Sequence, residues 1–94
     1  MAKAHDNAAK RIARRYGGNY KPSKSPDVNT PDKRVEVKTH ASEIPKAVAQ
    51  LGRTERKRYV ALPVKEHPEA RKILPPGVGL MDLNGKIRKQ ARRR

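Results

Sequence analysis

Apolar residues recur along this chain at two spacings, and the points where the spacing changes mark its elements. From about Ala2 to Tyr16, the positions Ala8, Ala9, Ile12, Ala13 and Tyr16 share one side of a helix, with Lys3, Lys10, Arg11 and Arg14 around the other. Gly17-Gly18 stops that helix, and Asn19 to Lys24 reads as a first strand or an extended arm broken by Pro22. A tight hairpin is predicted next. Val28 ends one short strand, Thr30-Pro31-Asp32-Lys33 supplies the turn, and Arg34 to Thr39 alternates as a second strand. Side chains two apart on a strand share a face, so Val35 and Val37 enter a core while Glu36 and Lys38 project together on the other side.

After a link at His40-Ala41-Ser42, Ser42 is placed to cap a helix with Glu43 in its first turn. Ile44, Ala47, Val48 and Leu51 then fall at i, i+3, i+4 and i+7, and Gly52 ends the helix. Arg53 to Arg58 is a charged link. Tyr59-Val60-Ala61-Leu62-Pro63 is continuous and apolar, as expected of a strand buried in the middle of a mixed sheet and reached from the Glu36 strand by a helical crossover. His67-Pro68-Glu69 opens another helix, on which Ala70, Ile73 and Leu74 share a face until Pro75-Pro76 forbid continuation. Val78 to Leu83 and Lys86 to Arg88 flank Asn84-Gly85 as a terminal hairpin, and residues 89–94 form a basic tail. The pattern predicts an α/β (α+β) chain, a small mixed sheet flanked by helices, in one domain over residues 1–94.

Composition adds a thin core and a polyanionic partner. Leu, Ile and Val number sixteen among 94 residues, Phe and Trp are absent, and the formal net charge is +15. So little apolar bulk with so much charge would suit a disordered chain, but the regular spacings argue for a folded middle. Nucleic acid is favoured over a membrane, because no stretch joins a basic face to a large apolar one and no apolar run is long enough to span. Candidate phosphate contacts are Lys10, Arg11 and Arg14 on the first helix, Lys21 and Lys24 before the hairpin, Arg53 and Arg56 in the charged link, and Arg92, Arg93 and Arg94 in the tail. Each is equally explained as solvated surface. The absence of cysteine excludes disulfides and thiolate metal sites, and with no signal peptide at its start the chain is expected to act inside the cell, in the cytoplasm.

If the hairpin pairs as drawn, Asp27 reaches the face that carries Glu36. Two carboxylates converging without Cys or His form a hard, all-oxygen site of the kind taken by Mg²⁺ or Mn²⁺. Lys38 beside them can orient an attacking water or stabilise charge at phosphorus. Ser25-Pro26-Asp27 followed by Glu36-Val37-Lys38 resembles the PD-(D/E)XK nuclease superfamily, which includes many restriction endonucleases and the archaeal Holliday junction resolvases. The resemblance implies a restriction endonuclease-like αβββαβ core and a metal-dependent endonuclease. It places Asp27, Glu36 and the Val37 carbonyl on the metal and Lys38 on the water. It also implies a homodimer acting on DNA rather than RNA, with branched DNA as a candidate substrate. Many members carry a further acid on the first helix, usually Glu. Asp6 is the candidate here, its alternative role being an exposed acid that favours the helix dipole. Some place a Gln on the helix after the catalytic strand, as Gln50 would be. The missing helical Glu and the short chain depart from that pattern.

A second reading stays open beside the enzyme. Glu-Val-Lys is ordinary on an exposed strand, and small size, extreme charge and basic ends also suit a non-catalytic RNA- or DNA-binding scaffold of ribosome-associated or chromatin-like type. No helix-turn-helix signature is present, and three aromatic residues in all argue against base stacking on single strands.

Overall fold

A computed structural model describes residues 3–20 and 27–92, in which the alternating apolar positions become a mixed six-stranded sheet with helices on both faces. The order is α1 (Lys3–Tyr16), β1 (Asn19–Tyr20), β2 (Val28–Asn29), β3 (Lys33–Val37), α2 (Ile44–Leu51), β4 (Lys57–Ala61), α3 (His67–Ile73), β5 (Val78–Met81) and β6 (Ile87–Lys89). Single 3-10 turns, Ala41–Glu43 and Val64–Glu66, lead into α2 and α3. Strands lie side by side in chain order. β1, β2 and β3 form an antiparallel meander, β4 and β5 continue parallel to β3, and β6 returns antiparallel. Among the described residues no helix is long and apolar enough to cross a membrane.

Strand parity divides the core in two. Val28, Val35, Val37, Tyr59, Ala61 and Met81 point to the face covered by Ala8, Ala9, Ile12 and Ala13 of α1. Val60, Leu62, Val78 and Leu80 point to the other, which α2 and α3 cover with Ile44, Ala47, Leu51 and Ala70. Alanines on α1, and Ala47 and Ala70 on the helices of the other face, leave little space to fill, which is how so few large side chains serve both layers. Gly17 ends α1 at φ 68°, and the Gly18 N–H reaches the Ala13 carbonyl at 2.8 Å, closing the helix end with a residue that tolerates the left-handed region. The Arg11 guanidinium donates to the Leu83 carbonyl at 3.1 Å and to Asn84 Oδ1 at 2.9 Å, and the Tyr16 hydroxyl donates to the Gly85 carbonyl. These bonds tie α1 to the β5–β6 turn.

Several boundaries differ from the sequence expectation for physical reasons. β3 runs Lys33–Val37 rather than Arg34–Thr39, and β4 starts at Lys57, inside the charged link, because Lys57 donates its N–H to the Asp32 carbonyl at 2.9 Å and extends the ladder. Asn84-Gly85 is not the centre of a two-residue turn. The Gly85 N–H bonds to the Asp82 carbonyl at 3.0 Å with Gly85 at φ 85°, and Asp82 Oδ1 accepts from the Asn84 and Lys86 N–H groups at 2.9 and 3.0 Å. The strand therefore ends at Met81, and the β5–β6 ladder shifts register there. Ser42 is exposed and Glu43 does the capping, its Oε1 accepting from the Thr39 and His40 N–H groups at 3.2 and 3.1 Å and from the Thr39 hydroxyl at 3.1 Å.

Burial pushes the Glu43 carboxyl up, but the Thr39 and His40 hydrogen bonds and the Lys38 charge outweigh it and hold the carboxyl below its ordinary range. A carboxylate so depressed contributes stability above its unfolded pKa and loses it as pH falls through the folded one. Glu43→Ala is expected to cost about 1 kcal/mol at pH 7, the usual worth of a capping side chain, with the deficit vanishing at low pH. Urea denaturation of both proteins at pH 7 and pH 3 measures this.

Candidate active site

The hairpin register creates the site. Val28 faces Val35 across β2 and β3, so the next position out, Asp27, lies opposite Glu36 on the face covered by α2. The Asp27 N–H donates to Glu36 Oε1 at 2.8 Å, and Asp27 Oδ2 accepts the Val37 N–H at 3.0 Å. Each carboxylate thus holds the backbone beside the other, and their spacing is fixed by the strand pair. The N–H and C=O of a strand residue face the same side, so the Val37 carbonyl is turned toward the Asp27 strand, while Lys38 turns to β4 and bonds the Ala61 carbonyl at 3.0 Å. Two residues beyond Glu36 on the same face, the Lys38 ammonium stands 3.6 Å from Glu36 Oε2.

The environment is drier than the sequence implies. Glu36 is 1% exposed and Asp27 8%, and the Lys38 side chain keeps 13% of its surface. Glu36 and Lys38 were expected on an open strand face, but α2 lies over that face and encloses them. Burial pushes the Glu36 carboxyl above its ordinary range, and the Asp27 charge pushes it further. The hydrogen bond from the Asp27 N–H and the Lys38 ammonium oppose them without prevailing. Two acids have been brought together where their repulsion is poorly screened, and an added cation would relieve it.

Asp6 lies on the other face of the sheet, with α1, and is held there by a residue that the sequence reading missed. Tyr20 on β1 pairs with Val28, and its hydroxyl donates to Asp6 Oδ1. That hydrogen bond first, then burial and the charges of Asp6 and Asp27, push the Tyr20 phenol up to about 12. The available signal was an aromatic residue just past the helix-stopping Gly17-Gly18, on a segment able to pair with Val28. Gln50 is not brought in. It sits on the last turn of α2, at the end where Arg34 donates to the Leu51 carbonyl at 3.0 Å, and its buried Oε1 has no hydrogen-bond partner among the described residues. Among the phosphate candidates, Lys10, Arg14, Arg53, Arg56 and Arg92 are exposed, and Arg11 is exposed but anchors the β5–β6 turn. Lys21, Lys24, Arg93 and Arg94 lie outside the described residues, as do Ser25 and Pro26.

Among the described residues no three His, Asp or Glu side chains gather into a metal cage. Two carboxylates and a backbone carbonyl are nevertheless the donors that suit Mg²⁺, which takes one or two carboxylates and keeps several waters. Compared with family models, with curated proteins and with solved structures, the chain has no significant match.

Proposed function

We propose that this chain is a Mg²⁺-dependent endonuclease that hydrolyses phosphodiester bonds in DNA, on a restriction endonuclease-like αβββαβ core. The reciprocal clamp of Asp27 and Glu36, buried with Lys38 beside it, carries the reading. A purely structural site gains little from forcing two acids together in a dry place, since an apolar pair of similar shape is often as stable or more so. The element order α1-β1-β2-β3-α2-β4 supports the core, with the acids on β3 and just ahead of β2. In this reading Asp27, Glu36 and the Val37 carbonyl would hold the ion, which would supply positive charge near the scissile phosphate and a more acidic water. Lys38 would orient an attacking water and stabilise negative charge developing on phosphorus. The +15 charge gathers the backbone without reading bases.

Nicking of supercoiled plasmid tests the proposal. Cleavage is expected with Mg²⁺, absent in EDTA, and lost in Asp27→Ala while duplex affinity persists. A non-catalytic scaffold is favoured by one observation: Glu36 and Lys38 already form a buried ion pair that needs no further ligand. Binding with no cleavage under Mg²⁺ or Mn²⁺ would establish that reading instead.

A further inference from the structure

We propose that the end of the sheet remote from Asp27 and Glu36 is a second polyanion-binding surface, shaped for the sugar-phosphate backbone of nucleic acid. The parallel register carries the idea. β3 and β4 enter the sheet as Lys33 beside Lys57 and Arg34 beside Arg58, and Arg92 closes the row by donating its N–H to the Gly77 carbonyl at 3.2 Å, just ahead of β5. The row of Lys33 lies three residues before Glu36, about 10 Å along the strand.

Two grooves open on this end. One, of about 570 Å³, is lined by Arg34, Arg56 and Lys57 with Pro31, Thr54, Asp32 and Glu55. Asp32 is matched by Lys33 at 3.0 Å, and that contact holds its carboxyl below the ordinary range, so among the described lining residues Glu55 alone is left to face three cations. The other, of about 340 Å³, is lined by Pro76, Lys89, Gln90 and Arg92. Burial pushes the Lys89 ammonium down, and the charges of Arg92 and Arg71 push it further, because cations crowd there with too little negative charge.

The cations are also held in place. Arg34 donates to the Leu51 carbonyl at 3.0 Å and Arg58 to the Gly52 carbonyl at 3.3 Å, so both guanidinium groups are anchored on the C-terminal end of α2. Lys89 donates to the Val78 carbonyl at 2.8 Å. Fixed donors lose little entropy on meeting a phosphate. Neither groove is lined by a large apolar side chain, so a bilayer would find no anchor.

This inference rests on the nucleic-acid half of the proposed function and not on catalysis. Anisotropy of a labelled DNA duplex in EDTA, over a salt series, tests it. Arg56→Ala/Arg92→Ala, both exposed positions, is expected to weaken binding at least ~10-fold at low salt and to flatten the slope of log K against log salt by about 1.8, two phosphate contacts at 0.9 each. Lys46→Ala/Lys65→Ala removes the same charge from exposed positions elsewhere and is expected to change affinity less than ~3-fold. Circular dichroism and thermal melts confirm that both variants fold. Equal losses in the two double variants, or none in either, would overturn the proposal, as would wild type that binds anionic phosphatidylserine vesicles but no duplex. Wild type that binds through this end and never cuts would sink the nuclease reading alone.

Discussion

Glu36→Gln is expected to lower Mg²⁺-dependent cleavage by about 10²- to 10³-fold while leaving the protein at least as stable as wild type at neutral pH. The two effects have one cause. Glutamine has the shape of glutamate, and its amide oxygen can still accept the Asp27 N–H, but it carries no charge into the dry space under α2. Because burial and Asp27 raise the Glu36 pKa in the folded chain, the folded state holds a proton that the unfolded state has released, between the ordinary carboxyl value and the raised one. Stability then falls as pH rises through that window, which starts near 4.5 and ends at the folded pKa. The variant lacks this loss, so its melting temperature should match wild type in acid and move ahead as the pH approaches neutral. Mn²⁺ or Mg²⁺ titrated at pH 7.5 should raise the melting temperature of wild type and leave that of Glu36→Gln unmoved, since the ion offsets the repulsion only where both carboxylates are present. A variant that instead loses stability at neutral pH, with no metal response in wild type, would mark Glu36 as a structural partner of Lys38 and end the catalytic reading.

What could be seen in the sequence was whatever depends on spacing alone. The α1 stripe, the stop at Gly17, the buried run Tyr59 to Leu62 and the meeting of Asp27 with Glu36 all follow from local periodicity and a short turn. What could not be seen depends on which elements later pack together. Nothing in Arg34 to Thr39 says that its polar face will be roofed, and the roof is α2, beginning after His40. The family resemblance suggested Gln50 for the site, but α2 runs back along β3 and leaves Gln50 at the Arg34 end. Ser42 and Glu43 were both good capping residues. The 3-10 turn set the choice by bringing Glu43 under the His40 N–H. The basic run at Arg53 to Arg58 read as a linker because charge dominates its composition, yet its last two residues enter the sheet and contribute to the cationic end.

The largest stability effect is expected from Gly79→Ala, at a position that no functional argument touches. Gly79 lies opposite Tyr59 in the β4–β5 register, and a Cβ built there would stand 2.4 Å from Tyr59 Cε1 and 2.5 Å from the Lys89 carbonyl oxygen. Replacing a strand glycine by alanine ordinarily gains about 0.5–1 kcal/mol through the lower entropy of the unfolded chain. Here the overlap outweighs that gain, because neither neighbour can retreat. The Tyr59 ring is fully buried with its hydroxyl bonded to Gln90 Oε1 at 3.1 Å, and the Lys89 carbonyl belongs to the paired strand β6. Forced overpacking of this kind costs about 1–3 kcal/mol, and two contacts at once place the loss toward the upper end, a drop of roughly 10 °C or more in the melting temperature. Tyr59→Leu/Gly79→Ala should recover only part of the loss, since removing the ring leaves the Lys89 oxygen in place. A single variant that melts with wild type would show that the ring does not lie over Gly79, and the α1-side core would then need another way to fill the space between β4 and β5.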